Sequence, residues 1–120
     1  MAIRAIRGAV QIDSDEREHL LKSTAELLTK TLHANDIDNG QLVSILFTAT
    51  PDITSEFPAV AARSIGLTDV PLMCFVEMDV KHALPRTIRI MITADLNKSR
   101  AEIQHIYLRG ATALRSDIAQ

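Results

Sequence analysis

An α+β architecture, a mixed β-sheet with helices packed on one side, is expected for this chain of 120 residues. Apolar runs of strand character alternate with helical patterns along the chain. The helices are few, and two apolar runs within residues 72–93 flank a short turn that suits an antiparallel pair. Apolar residues make up 47% of the chain, enough for one core, so residues 1–120 are expected to form a single domain. Helices on one side leave the other sheet face bare, and oligomerisation is the natural way to cover it.

The first strand is expected over Ile3 to Ile12, with Ile3, Ala5, Arg7 and Ala9 on one face and Ile6, Val10 and Ile12 on the other. Arg7 lies between small alanines that leave room beside it, and Gly8 permits close approach. An ordinary exposed strand arginine is the plain alternative for Arg7. Asp13 and Glu16 have capping-box spacing and open a helix. Its apolar stripe runs through Leu20, Leu21, Leu27, Leu28 and Leu32, with Thr24 and Thr31 between, and it should end near Asn35. Asp36 to Gly40 is a polar turn. Leu42 to Thr50 is a continuous run of β-formers, expected as a central strand covered on both faces. Residues 57–66 suit a short helix, with Pro58 in its first turn and Gly66 at its C-terminal cap; Phe57 and Arg63 can look outward.

The most informative stretch is Leu72 to Thr93. Glu77 interrupts one apolar run and Arg89 sits between isoleucines in another, and both runs are expected as buried strands. A buried charge is costly unless it is paired or faces a wet cavity. Arginine cannot shed its proton, so Arg89 needs an anion, either Glu77 or a ligand. His82 to Pro85 turns between the two runs. Ser99 and Glu102 again have capping-box spacing, Ile103 to Leu108 fits either a helix or a strand, Gly110 breaks it, and Ala111 to Leu114 fits one helical turn.

Composition excludes several functions. The formal net charge of −2, without a basic stripe, argues against nucleic acid. No apolar run is long enough to span a membrane and no signal-peptide pattern opens the chain, so a soluble cytoplasmic protein is expected. The single cysteine, Cys74, fits a reducing compartment and lacks a catalytic partner pattern. His19, His33, His82 and His105 have no metal-ligand spacing, and there is no glycine-rich phosphate loop; no metal or cofactor is expected. Nine arginines against four lysines, one strand carboxylate and Tyr107 point to a small anion that carries a hydroxyl group.

Arg7-Gly8-Ala9, Ala49-Thr50-Pro51-Asp52, Phe57-Pro58-Ala59, Cys74 followed by Glu77-Met78-Asp79-Val80, Ile88-Arg89, His105-Ile106-Tyr107-Leu108 and Leu114-Arg115 occur in this order. Together they resemble the monofunctional chorismate mutases of the trimeric α/β pseudo-barrel type, over nearly the whole chain. The resemblance implies conversion of chorismate to prephenate by a pericyclic rearrangement, in a homotrimer with its sites between subunits. It implies that Arg7, Cys74, Glu77, Arg89 and Tyr107 come from one subunit and Phe57, Ala59 and Arg63 from its neighbour, with Leu72, Met73 and Leu114 at pocket-wall positions. Arg89 would then hydrogen-bond the ether oxygen of the breaking bond, with Arg7 on the ether or carboxylate side. Glu77 and Cys74 would hold the ring hydroxyl, and Tyr107 a carboxylate. Val60 stands where many members carry a lysine at the pocket mouth, which implies a weaker pull on the dianion. Ser116 stands where a proline often follows the Leu-Arg pair, before a short C-terminal tail. Two alternatives compete. One is a trimeric small-anion-binding or imine-hydrolysing protein of similar architecture, less suited to the Glu77 and Arg89 pair. The other is a purely structural pair between those residues, which leaves Arg7 and Tyr107 without a role.

Overall fold

The computed structural model describes residues 1–114. Strands β1 (Ala2–Gln11), β2 (Leu42–Ala49), β3 (Leu72–Val76), β4 (Thr87–Leu96) and β5 (Ile106–Leu108) form one sheet in the order β3-β2-β4-β1-β5. β4 is antiparallel to both β1 and β2, whereas β2 with β3 and β1 with β5 run parallel. Helices α1 (Arg17–Ala34) and α2 (Ala59–Ser64) complete the expected α+β arrangement. No helix among the described residues is long and apolar enough to cross a membrane.

The alternation of β1 and β4 decides which sheet face is the core. Ile6 and Val10 of β1 and Ile88, Ile90 and Ile92 of β4 turn inward, joined by Ile45 and Phe47 of β2. Leu20, Leu27 and Leu28 of α1 close over them, with Ala59 and Ala62 of α2. Gly8 allows β5 to approach β1 closely: a Cβ there would lie 3.0 Å from the Ile106 carbonyl oxygen, a crowded contact.

Helix ends are fixed by local bonds. Gly66 (φ +94°) closes α2 through its N–H to the Arg63 carbonyl and the Leu67 N–H to the Ala62 carbonyl, which leaves Arg63 exposed in the last turn. At the end of α1, Asn35 is buried; its amide donates to the Thr31 and Gln104 carbonyls and accepts from the Gln104 N–H, which ties α1 to the segment leading into β5.

Several expectations are corrected. β3 is an edge strand, and Met73, Phe75 and Val76 are exposed, so the run around Glu77 is not a buried strand; Glu77 lies just past its end. β3 and β4 run in opposite directions but do not pair, because β2 lies between them. β2 is interior without being central, and only one of its faces is covered: Val43 and Leu46 are exposed. α1 starts at Arg17 with Glu16 at its N-cap and no side-chain cap, so Asp13 and Glu16 do not act as a capping box. The Asp13 N–H donates to His19 Nε2, and Asp15 reaches instead to the Thr54 and Ser55 N–H groups. Ser99 keeps its expected contact, donating its N–H to the Glu102 carboxylate at 2.8 Å. The helical turn after β5 is a 3₁₀ segment that begins at Arg109, so Gly110 lies inside it instead of breaking the chain before it.

Candidate active site

Arg89 alternates with the inward isoleucines of β4, so its side chain rises from the sheet face away from the helices. Register places it in one row with Tyr107, Ala9, Thr48 and Phe75, which come from the other four strands. Glu77 continues the β3 ladder by its N–H to the Ala49 carbonyl and turns its side chain to the same face. There the Arg89 Nε–H donates to Glu77 Oε2 at 3.1 Å, and the Thr48 hydroxyl donates to the same oxygen at 2.6 Å. The pair is neither core nor open surface: 34% of the Arg89 side chain and 13% of the Glu77 side chain remain accessible. Both line a cavity of about 510 Å³ with Thr48, Val80, Leu84 and Leu114. A charge-assisted contact of this kind fixes a guanidinium without consuming all its donors.

The other expected residues fall into three groups. Arg7 shares the outer face, two positions along β1 from Ala9. Its N–H donates to His105 Nδ1 at 2.9 Å, and its half-buried guanidinium has no carboxylate in reach among the described residues. Ala5 beside it is open, but Ala9 is closed over by Tyr107 and Ala111, with Leu114 packed against them. Phe57, 69% exposed, lines a second cavity of about 380 Å³ with Cys74, Phe75 and Glu56. Glu56 is held below its ordinary value by the Phe57 N–H and by Arg17. Ala59 is buried in α2, and Val60 and Arg63 lie beside it on the same short helix. Arg63 does not meet Arg89 or Glu77 within the chain.

β3 divides its residues between its two faces. Met73 is exposed on the outer face, whereas Leu72 and Cys74 pack against the core, so the Cys74 thiol points away from Glu77. The ladder bonds from Ile45 N–H to the Pro71 carbonyl and from Glu77 N–H to the Ala49 carbonyl set the alternation of backbone groups. Leu72, Cys74 and Val76 therefore turn their N–H and C=O groups to the free edge of the sheet. Cys74 can meet a ligand there through its backbone. Arg115, Ser116 and the C-terminal tail lie outside the described residues.

Thr48 is the functional candidate that the sequence did not single out. Its position in a mostly apolar run of β-formers hid it; the only signal was a hydroxyl at an outward position of a strand. Met78 and Val80, seen in the sequence only as part of a motif, and His82 and Leu84, seen only in a turn, also join the cavity wall.

Residues 3–118 match the family model described as chorismate mutase type I. The chain is 42% identical to a chorismate mutase AroH of Thermus thermophilus, over 97% of this chain and 96% of that protein. It is 38% identical to a chorismate mutase AroH of Bacillus subtilis (strain 168), over 99% and 94%. A solved chorismate mutase from Clostridium thermocellum superimposes with a TM-score of 0.90 at 36% identity, covering 92% of this chain and 98% of that one. These likenesses do not favour the imine-hydrolysing or small-anion-binding alternative. The chain belongs to the type I chorismate mutase family.

Proposed function

We propose that this protein converts chorismate to prephenate as a cytoplasmic homotrimer, each chain acting as one domain over residues 1–120. The observation that carries this is the Arg89–Glu77 pair on the outer sheet face, with the rest of the Arg89 guanidinium turned to a cavity. Chorismate is a dianion with a ring hydroxyl and an ether bridge. In the rearrangement the ether C–O bond breaks as a new C–C bond forms, and negative charge gathers on the ether oxygen. No proton passes to or from the protein. The site must hold a compact conformer and present fixed positive charge to that oxygen. Arg89 is the group in place for this, because Glu77 already fixes its orientation. Arg7, without a carboxylate among the described residues, is left to meet the substrate from the same face. Glu77 and the edge backbone of Cys74 are the acceptors for the ring hydroxyl, and Tyr107 is assigned to a carboxylate.

Trimer formation is supported by the bare outer face, where Ile3, Val43, Leu46 and Met73 are exposed. Phe57, Ala59 and Arg63 do not line the cavity that holds Arg89 in their own chain, and a neighbouring copy would bring them to it. Leu72, Met73 and Leu114 are assigned to the pocket wall, Leu72 by its backbone. The test is direct. Purified protein should consume chorismate, followed by its ultraviolet absorbance, with prephenate as the product. Absorbance decay no faster than in buffer would overturn the assignment.

A further inference from the structure

We propose that Thr48 is a positioning residue, whose hydroxyl keeps Glu77 in one-oxygen contact with Arg89 and so leaves the guanidinium Nη groups and Glu77 Oε1 open to substrate. This rests on the mutase reading of the site. An arginine beside a carboxylate frequently pairs fork to fork, two N–H groups to two oxygens. Here it does not. Glu77 Oε2 accepts both the Thr48 hydroxyl, at 2.6 Å, and the Arg89 Nε–H, at 3.1 Å. Two donors fill that oxygen's lone pairs. No bond to Oε1 or from the Arg89 Nη atoms forms among the described residues.

Thr48 is well placed for this task. It lies opposite Arg89 on the neighbouring strand, in the same row, and its strand has a partner on each side. A β-branched side chain on an interior strand is stiff at χ1, so the hydroxyl holds one direction. Without it, Glu77 is free to turn and take a second N–H from Arg89. That would divert a donor from the ether oxygen and remove the free carboxylate oxygen from the ring hydroxyl. The chief loss would fall on the transition state, where Arg89 acts, more than on ground-state binding.

The experiment compares Thr48→Val, Thr48→Ser and Thr48→Ala in the wild-type and Glu77→Ala backgrounds, with kcat and KM measured separately on chorismate. Thr48→Val keeps shape and removes the hydrogen bond. A bond to a charged group corresponds to a kcat loss of roughly ten- to a hundredfold, with a smaller change in KM. Thr48→Ser, which restores the hydroxyl, should stay within about threefold of wild type. Thr48→Ala should lose as much as Thr48→Val, which guards against a packing artefact of valine. In Glu77→Ala protein, Thr48→Val should change kcat by less than about twofold, because the acceptor it positions is gone. An equal loss in both backgrounds would assign Thr48 a role in packing only, and an undiminished kcat in Thr48→Val would end the proposal. Active wild-type protein with either result leaves the mutase reading standing; inactive wild-type protein overturns both.

Discussion

A guanidinium that gives one N–H to a carboxylate keeps four others to give. Arg89 gives its Nε–H to Glu77 and faces a cavity with the remainder, so its worth should show in turnover far more than in folding. Arg89→Ala should lower kcat by at least about 10²–10³, as expected for a donor aimed at developing charge, with the oligomer intact. A fall of less than about tenfold, measured beside an unchanged sedimentation profile, would remove Arg89 from the electrostatic centre. Arg89 could be found in the sequence because Ile88, Ile90 and Ile92 fix its parity. Glu77 could be found as a charge in an apolar run, but not placed, since the run belongs to an exposed edge. Thr48 could not be found, because its partners lie 29 residues away at Glu77 and, through register, on β4.

Strands and helices were largely legible, and their arrangement was not. Period-2 and helical patterns marked β1, β4, α1 and α2, whereas sheet order depends on pairings distant in sequence. Asp15 shows the same limit. The acids before α1 suggested a helix-terminal role, yet Asp15 holds the segment that leads into α2, through the Thr54 and Ser55 N–H groups and both hydroxyls. Burial pushes the Asp15 carboxyl up, but the bonds from Ser55 and Thr54 outweigh it and hold the group below its ordinary value of 3.8. A lowered folded-state pKa gives stability that is present above the unfolded value and is lost as pH falls through the folded one. Asp15→Asn should therefore lower the melting temperature by roughly 2–5 °C at neutral pH. The gap from wild type should hold constant down to about pH 5 and narrow below the ordinary value of 3.8. A gap that persists unchanged in acid, followed by circular dichroism, would show that the carboxylate charge has no part in the contact.

The whole molecule explains why β2 and β3 read as buried. Their apolar residues are those that the proposed trimer would bury, while only one of their faces is covered in a single chain. A cleft shared between chains is testable by mixing. Arg63→Glu and Arg89→Ala chains, each first shown to be impaired alone, are unfolded and refolded together in equal amounts. A cyclic trimer has heterologous interfaces, so random mixing gives roughly a quarter of the clefts both wild-type residues. Activity should rise to about that fraction of wild type. Arg7→Ala mixed with Arg89→Ala should show no rescue if, as proposed, one chain supplies both residues to each cleft. Confirmed mixed trimers without recovered activity in the first mixture would refute the division of the site.

The segment between Glu77 and Arg86 is pinned at both ends to one corner of the fold. The Glu77 N–H meets the Ala49 carbonyl, and the Arg86 N–H meets the Asp52 carboxylate, three residues further along the chain. Its ends are held by the turn after β2, so its length does not set the Glu77 to Arg89 distance in space. Lengthening a surface loop costs little, about 0.6 kcal/mol for each doubling. Insertions or deletions between these two anchors are accordingly expected to reshape the cavity wall while the Glu77 to Arg89 contact stays in place.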